Sequence, residues 1–369
     1  HAHLDHTGYL PALVKQGFIG PVWCTEGTRR LTEIVLKDAG YLQERDAEDA
    51  AEGGWSKHEP PLPLYTLADV EDTLTLLQPL EFDSDFDLGD GIVLRFTRAG
   101  HILGSASVNL TTAHASVLFS GDLGRHDHPV LRPREVPPGS PVVVVESTYG
   151  DREHPEPANL PHELLADVIR RTAERGGSVL IPTFAVDRVE GVLKVLHELH
   201  SDGRIPALPT YVNSPMALDA LDVYRDMPEE LKDDFDLDAE IDRPHVHEVR
   251  TADESTALTS ERLPEPSIIL SSSGMLTGGR VVHHLERMLP DARNAIVLAG
   301  YQAVGTRGAA LLGGATQLKM HGRYVPVKAE IARDGEFSVH ADASDIMDGL
   351  AELAPRPSLV FCTHGEPDS

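Results

Sequence analysis

The chain has few cysteines and no long apolar run, and each shortage excludes a class of protein. Its two cysteines, Cys24 and Cys362, lie near opposite ends of the 369 residues and cannot form a disulfide framework. We interpret them as core thiols of a protein kept in a reducing compartment, the cytoplasm. The longest apolar runs, such as residues 142–145, are strand-sized, whereas a membrane-spanning helix needs roughly 20 residues. No membrane partner is therefore expected.

Positive charge is also scarce. Lysine and arginine together number 32 against 59 acidic residues, which gives a net charge of −27. Such a surface repels a polyanion unless its cations are concentrated locally. Only seven of the cations are lysines, and the arginines favour bidentate contacts with phosphate. The charge balance therefore counts against nucleic-acid binding unless the arginines cluster.

The composition, 41% hydrophobic and 25% charged, is that of a globular protein long enough for two cores. Short apolar runs that end in polar residues predict buried strands, because β-branched residues dominate them. These runs are residues 116–119, 142–145, 179–181, 268–270, 296–298 and 359–361. Apolar residues spaced by three or four over 160–169 and 186–199 predict helices between them. The alternation predicts an α/β fold with its chemistry at strand ends.

Three histidines and an aspartate, His1, His3, Asp5 and His6, lie within the first six residues. On an extended segment His1 and His3 share a face, and the turn that follows can aim Asp5 and His6 at a second point. Imidazole and carboxylate without thiolate are typical ligands of a hydrolytic zinc site. Later motifs supply further ligands of the same kinds: G-H-I-L-G-S at 100–105, S-G-D at 120–122 and T-H-G-E at 363–366.

In this order the motifs resemble the metallo-β-lactamase superfamily and, within it, the β-CASP nucleases. That family includes bacterial and archaeal RNA exonucleases and the endonuclease subunit of the pre-mRNA 3′-end cleavage complex. The resemblance implies an α/β fold: a metallo-β-lactamase αββα sandwich, its N-terminal strands missing here, with an inserted α/β β-CASP cap domain. The implied boundaries are 1–150 for the first part of the metallo-β-lactamase domain, 151–337 for the cap and 338–369 for a truncated return segment.

The resemblance also implies two Zn²⁺ ions. The implied ligands are His1, His3 and His101 for one ion, Asp5, His6 and His364 for the other, and Asp122 as a bridge. Two cations about 3.5–4 Å apart activate a water, orient a scissile phosphate and neutralise charge on its oxygens. Asp5 is accordingly counted among the catalytic residues as well as the ligands.

Two further motifs resemble those of the nucleases: E-S-T-Y-G at 146–150 and S-V-H-A-D at 338–342. Members that act on RNA usually have histidine in the last motif, so His364 implies a single-stranded RNA substrate. Expulsion of a ribose oxygen is easier when the oxygen is protonated, and His340 is the candidate acid. Glu146 would orient His340 and stabilise its charged form. The alternative is a Glu–His hydrogen bond that only closes the domain junction.

The segment S-S-S-G-M-L-T-G-G-R at 271–280 follows a predicted strand and precedes a predicted helix. Small residues before a helix let backbone N–H groups approach a phosphate. The predicted substrate contacts are Ser272, Ser273, Gly274, Gly278, Gly279, Arg280 and Arg307. Relatives commonly have Gly-Arg where this chain has Gly308-Ala309, so one expected cation is missing. The remaining candidates for a positive seam in the acidic surface are Arg188, Arg307, Lys319, Arg323 and Lys328.

The sequence leaves several alternatives open. A small-molecule hydrolase of this fold needs the zinc ligands but neither Glu146 nor His340, and a noncatalytic RNA-processing scaffold should have lost ligands. Endonuclease and 5′–3′ exonuclease modes both fit, and a homodimer is left open. The chain is interpreted as a fragment without the family's first motif, a loss worth 10–100-fold in metal affinity or activity, so an inactive fragment of an active parent is compatible with it. His126 and His128 are expected to be surface loop residues.

Overall fold

The computed structural model describes residues 1–53, 56–155, 160–241, 243, 245–260, 263–366 and 369. The chain divides into two compact units. Unit 1 comprises His1–Glu153, Met227–Lys232 and Val339–Ser369, and unit 2 comprises His154–Asp226 and Asp233–Ser338. No helix in the described part of the chain is long and apolar enough to cross a membrane.

The elements are numbered in chain order. The helices are α1 Leu4–Thr7, α2 Leu10–Lys15, α3 Glu26–Gly53, α4 Leu67–Leu74, α5 Glu163–Glu174, α6 Val189–Ser201, α7 Pro215–Arg225, α8 Leu237–Ile241, α9 Ala252–Ser260, α10 Arg280–Met288, α11 Arg307–Leu312 and α12 Ala343–Glu352. The strands are β1 Val22–Cys24, β2 Leu77–Pro79, β3 Phe86–Gly89, β4 Ile92–Arg98, β5 Ala106–Thr111, β6 Ser116–Phe119, β7 Val142–Glu146, β8 Val179–Pro182, β9 Thr210–Val212, β10 Val246–Glu248, β11 Ile268–Ser271, β12 Ala295–Leu298, β13 Gln317–Met320, β14 Arg323–Pro326, β15 Glu330–Arg333 and β16 Leu359–Thr363.

Each apolar run singled out in the sequence lies in a strand whose ends differ from the run by at most two residues. Strand β16 is nevertheless exposed along its length, so the prediction of a buried strand over 359–361 and of a core thiol at Cys362 is wrong. The helix predicted over 186–199 begins later, at Val189, because Asp187 has a φ of 61° and Arg188 a φ of −129°. Neither residue has helical backbone angles, although Val186 is buried as its apolar spacing predicts. Apolar spacing therefore located the helix but not its first turn.

Unit 1 contains a mixed sheet of six strands in the order β16-β7-β6-β5-β4-β3, and a separate parallel pair, β1 with β2. Strands β16, β7 and β6 run parallel, while β6 to β3 alternate in direction. The ends of β6, β7 and β16 and the β4–β5 loop therefore lie at one edge of the sheet. An apolar cluster packs one part of this unit, comprising Leu118, Val143, Val145, Ala341, Ile346 and Leu353.

Unit 2 is built on a parallel sheet of six strands in the order β10-β9-β11-β8-β12-β15. Strands β8, β11 and β12 are buried at all positions, as expected for parallel strands covered on both faces. The segments that follow β8, β9, β11 and β12 meet at the carboxyl edge of this sheet. A separate antiparallel hairpin joins β13 and β14.

A short segment of the predicted cap domain, 151–337, belongs to unit 1 and not to unit 2. Met227–Lys232 belongs to unit 1, where the Arg132 amide donates a hydrogen bond to the Glu230 carbonyl at 3.0 Å. The Glu230 carboxylate also pairs with Arg98 at 3.3 Å. Glu230 is only 5% exposed, so the acidic stretch 219–265 is not uniformly a solvated surface. A buried carboxylate needs such a partner, and the sequence does not indicate one 132 residues away.

Candidate metal centre

Three segments of unit 1 place a first cluster of ligand atoms together. His1 and His3 come from the first residues, His101 from the β4–β5 loop and Asp122 from the loop after β6, with ligand atoms all within 4.8 Å of one another. His1 Nε2 lies 3.1 Å from His3 Nδ1 and 3.5 Å from Asp122 Oδ2. The side chains of His1, His101 and Asp122 are 1%, 1% and 3% exposed. Three imidazoles and a carboxylate form a donor set that suits zinc.

A second cluster adjoins the first and is more exposed. His364 Nε2, at the end of β16, lies 3.1 Å from Asp5 Oδ2 and 3.2 Å from His6 Nε2. Asp122 Oδ1 lies 3.4 Å from His6 Nε2, while its Oδ2 faces the first cluster. The structure therefore brings together all seven predicted ligands, with Asp122 between the two groups as the resemblance implies.

The segment at the start of the chain is extended at His3, with φ −57° and ψ 148°, and the predicted turn after it is one helical turn. His3 is the N-cap of α1, and its carbonyl accepts the amide hydrogens of His6 and Thr7, both at 3.0 Å. The Thr7 hydroxyl donates to the Ala2 carbonyl at 3.2 Å. Asp5 and His6 thus project from a single helical turn, which aims them at the second cluster.

Glycines allow the loops of the centre to pack closely. A Cβ on Gly124 would lie 1.8 Å from the Gly100 carbonyl oxygen, and one on Gly365 would lie 2.3 Å from Ser147 Oγ. Neither position could hold a side chain without moving backbone that carries a ligand. The glycines of the 120–124 and 363–366 motifs are therefore required by the approach of the loops to each other.

The charges of the second cluster are strongly coupled. The hydrogen bond that His364 Nε2 donates to Asp5 raises the pKa of His364 to about 9, and the same bond lowers the pKa of Asp5. Burial favours the neutral form of Asp122, but the hydrogen bond from His6 and nearby imidazoles outweigh it and lower its pKa overall. A metal ion competes with a proton for each such ligand nitrogen. Two ionised carboxylates among imidazoles are the charge state that a divalent metal requires, so the residues fit a metal.

Glu146 and His340 form a hydrogen-bonded pair beside the metal ligands. His340 Nδ1 lies 3.1 Å from Glu146 Oε2, and the Glu146 side chain is 1% exposed. The other carboxylate oxygen accepts the amide hydrogen of Leu123, the residue after Asp122. The His340 ring lies 4.3 Å from that of His101 between centroids. One buried carboxylate therefore fixes both the loop of a predicted bridging ligand and the predicted acid.

Thr148 is a functional candidate that the sequence analysis missed. Its Oγ1 lies 3.2 Å from the His364 carbonyl oxygen, to which it donates, and 3.1 Å from His364 Nδ1. Because a hydroxyl has one proton, this contact makes Nδ1 the donor and leaves Nε2 facing the ligands. The only signal in the sequence was its position two residues after Glu146.

The segment 271–280 is held in unit 2 by contacts of its own. Ser272 Oγ accepts a hydrogen bond from the Ser214 hydroxyl at 2.9 Å, and the hydroxyls of Ser273 and Thr277 are 3.0 Å apart. Gly274 is buried, and Gln302 donates to its carbonyl at 3.1 Å. The remaining glycines of the segment lie just before α10: Gly278 and Gly279, the N-cap, whose φ is 75°.

Both arginines predicted to contact phosphate donate hydrogen bonds within this region. Arg280 donates to the Asn213 side-chain oxygen at 2.9 Å and to the carbonyls of Val249 and Arg250. Arg307 donates to the carbonyls of Leu276 and Thr277, at 2.8 and 2.9 Å, and of Lys319 at 3.3 Å. Their direct contact with phosphate stays a prediction, whereas their observed contacts shape the loop.

Two other sequence expectations are wrong. His128 is not a surface residue: it is 1% exposed, and its Nδ1 accepts the amide hydrogens of Val130 and Leu131. His126 is exposed, as expected. Arg188 is 8% exposed and so cannot join an exposed positive seam, although Lys319, Arg323 and Lys328 are exposed.

Comparison with known proteins agrees with this geometry. Residues 190–311 match the Beta-Casp domain, and residues 324–369 match the Zn-dependent metallo-hydrolase RNA specificity domain. The chain is 38% identical over 370 residues to ribonuclease TTHA0252 of Thermus thermophilus, covering 99% of this chain and 80% of that protein. It is 33% identical over 383 residues to the transcription termination factor FttA of Methanocaldococcus jannaschii, and 33% identical over 383 residues to that of Pyrococcus abyssi. These matches cover 99% and 100% of this chain.

This chain belongs to the β-CASP family of ribonucleases with the metallo-β-lactamase fold. The membership confirms the fold class and the class of metal-dependent RNA-processing hydrolase expected from the motifs. The chain spans 57% and 56% of the length of the two termination factors.

Proposed function

We propose that the chain is a two-zinc phosphodiesterase that cleaves single-stranded RNA in cytoplasmic RNA processing or decay. The observation that carries this proposal is the convergence of five imidazoles and two carboxylates beside the Glu146–His340 pair. His1, His3 and His101 would hold one ion, Asp5, His6 and His364 the other, and Asp122 both. When bound, the ions supply Lewis-acid activation of water and neutralise charge on the phosphate.

His340 is proposed to protonate the leaving oxygen of the ribose. Its Nδ1 faces the Glu146 carboxylate at 3.1 Å, so the proton that can be transferred is the one on Nε2. Glu146 accepts the Nδ1 hydrogen and fixes the plane of the ring. Because Glu146 also accepts the Leu123 amide hydrogen, the acid and the Asp122 loop are positioned together.

The RNA substrate is supported by the relatives rather than by the net charge. One similar protein is named a ribonuclease, and the matching C-terminal domain is described as an RNA specificity domain. The assembled ligand set argues against a noncatalytic scaffold, since such a protein has no need to keep seven ligands together. The Glu146–His340 pair argues against a small-molecule hydrolase, because a hydrolase of that kind needs the zinc ligands but neither of these two residues.

A metal and cleavage assay tests the proposal. The zinc-replete chain should hold two zinc ions at the centre, and Asp122→Asn should lose at least one of them and the cleavage. RNA labelled at its 3′ end and carrying a 5′-triphosphate, 5′-monophosphate or 5′-hydroxyl should be cleaved, and DNA of the same sequence should not. The ladder of products then separates internal cleavage from trimming. Equal cleavage of RNA and DNA, or a folded chain whose centre binds no zinc, would overturn the proposal.

A further inference from the structure

A separate cluster of ligand-type side chains lies in unit 2, far along the chain from the metal centre described above. His283 and Glu286 stand three residues apart on α10, and His321 lies in the β13–β14 turn. Each offers one ligand atom, and these atoms lie within 4.8 Å of one another. His321 Nδ1 is 3.1 Å from Glu286 Oε1, and the rings of His283 and His321 are 5.1 Å apart between centroids.

The helix explains why only one of its two adjacent histidines takes part. His284 faces the core and is 1% exposed, with its Nε2 2.7 Å from Asn213 Nδ2. Burial lowers its pKa to about 4, so it stays neutral and structural. His283, one position earlier, is exposed, and Glu286 lies one turn further along the same face.

The hairpin fixes the third side chain. The turn between β13 and β14 consists of His321 and Gly322, with φ values of 42° and 76°. Two successive residues with positive φ in a two-residue connection are typical of a type I′ turn. Histidine, like asparagine and aspartate, adopts positive φ more often than other non-glycine residues do. The short turn therefore holds His321 where its imidazole lies near those of α10.

We propose that His283, Glu286 and His321 form an additional metal site that binds a zinc-like divalent transition metal and clamps α10 to the β13–β14 hairpin. Two imidazoles and one carboxylate are the donors of known three-ligand zinc sites, with water at the fourth position. Donor atoms across a tetrahedral zinc are about 3.3 Å apart. The 3.1 Å between His321 Nδ1 and Glu286 Oε1 is close to that value, so little movement is needed.

The clamp would steady the segment proposed to bind RNA. Helix α10 begins at Arg280, the last residue of the 271–280 segment, and the hairpin already accepts a hydrogen bond from Arg307 through the Lys319 carbonyl. A metal bound between helix and hairpin would add a second connection on the exposed side. Hard cations such as Mg²⁺ should not substitute, because they prefer oxygen ligands.

The number of zinc ions bound per chain tests this site. The metal-depleted chain is loaded with ZnCl₂, dialysed and analysed for zinc, beside His321→Ala, Glu286→Gln and the control His114→Ala, an exposed loop histidine of unit 1. Wild type and His114→Ala should each bind one more equivalent than the two cluster variants. Circular dichroism spectra should be the same for all four, since the substituted side chains are exposed or half-buried.

A residue-level measurement separates this site from the centre in unit 1. The imidazole NMR signals of His283 and His321 should move on addition of Zn²⁺ and stay in place with Mg²⁺. If the cluster variants bind as much zinc as wild type, or if the two signals do not respond to 1 mM Zn²⁺, roughly the weak end of specific binding, the site does not exist. Because the readout is a difference of one equivalent, the result is independent of whether the centre in unit 1 cleaves RNA.

Discussion

At the scale of single residues, the hydroxyl of Thr148 sets the orientation of the predicted metal ligand His364. Thr148 Oγ1 donates to the His364 carbonyl and so accepts the hydrogen on His364 Nδ1. The protein thereby presents Nε2 to Asp5 and His6 without depending on a bound metal. Partners of this kind orient ligands in most histidine metal sites, and their loss typically lowers affinity or activity 10–100-fold.

Thr148→Val should therefore weaken zinc binding about 10–100-fold, because valine keeps the shape of threonine and removes the acceptor. Competition with a chromophoric chelator measures the affinity, and ¹⁵N NMR of His364 in the zinc-bound chain reports which ring nitrogen carries the proton. Thr148→Ser keeps the hydroxyl and serves as the control, with near wild-type affinity. A valine variant with unchanged zinc affinity and an unchanged His364 tautomer would contradict this role.

His340 offers a second prediction at the same scale. His340→Ala should retain the metals, because His340 is outside the ligand set, and should lower the cleavage rate on the order of 10²–10⁴-fold. A bell-shaped dependence of rate on pH should lose its high-pH limb, since that limb reports loss of the proton to be donated. Glu146→Gln should also lower the rate and retain the metals, because it removes the carboxylate that orients the His340 ring.

The dependence on the leaving group distinguishes an acid from a structural residue. An RNA analogue with a better leaving group needs less protonation, so it should rescue His340→Ala more than wild type. If the variant loses zinc, or keeps the whole bell and the same dependence on the leaving group, the assignment of His340 as the acid is wrong.

At the scale of an element, the first turn of α6 contains a buried carboxyl group whose surroundings disfavour its ionised form. Glu190, the second residue of the helix, is 3% exposed, and burial together with the nearby charge of Asp187 raises its pKa to about 8. The Tyr224 hydroxyl donates to Asp187 Oδ1 at 2.6 Å, and the interaction of Tyr224 with Glu190 does not offset the burial of Glu190. The start of this helix therefore carries a pH-dependent cost to folding.

The sign of that cost follows from linkage. Below pH 4.5, the ordinary pKa of glutamate, the carboxyl is protonated whether the chain is folded or not. Between pH 4.5 and about 8 it ionises in the unfolded chain and stays protonated in the folded one, so stability is lost as pH rises. Glu190→Gln should thus raise the free energy of unfolding at pH 8, by up to about 4 kcal/mol, and have little effect below pH 4.5.

Denaturant unfolding at a series of pH values measures this difference. Glu198→Gln, on the exposed side of α6, is the matched control and should leave the pH dependence as in wild type. The free energy of unfolding of Glu190→Gln should exceed that of wild type by more at pH 8 than at pH 4. If the difference between the two proteins is the same at both pH values, the raised pKa of Glu190 is wrong.

At the scale of the whole molecule, the chain divides into two compact units, and the predicted ligands of the main centre all lie in unit 1. Unit 2 has no tryptophan in its sequence, so tryptophan fluorescence reports on unit 1, which contains Trp23. A ligand that binds only the folded state stabilises it by mass action. Zinc binding at the centre should therefore appear in the fluorescence of this unit.

Zinc at 100 times its Kd should raise the midpoint of thermal unfolding seen by fluorescence by roughly 5–10 °C. Chelation should reverse the shift, and Asp122→Asn should reduce it strongly because that variant lacks the bridging carboxylate. His321→Ala, in unit 2, is the control and should keep the fluorescence shift. A midpoint that does not respond to zinc in the wild-type chain would contradict the assignment of the centre.

The sequence alone determined the class of this protein. The spacing of His1, His3, Asp5 and His6 encodes two ligand groups locally, and short β-branched runs specify strands through burial on both faces. Each of these patterns spans only a few consecutive residues, so it can be recognised without knowledge of contacts between distant parts of the chain. The order of the motifs then carried the family resemblance, which the domain matches and the ribonuclease relative confirm.

Only the tertiary structure decided which side chains contact each other. The sequence predicts that Arg280 and Arg307 contact phosphate. In the structure, N–H groups of both side chains donate hydrogen bonds to backbone carbonyls of residues distant in the chain. Thr148 and the placement of Glu230 beside Arg98 were equally invisible, because each contact joins residues more than 100 positions apart. Propensity and periodicity act over one or two turns, whereas a buried polar group is satisfied by whatever partner the folded chain brings within about 3 Å.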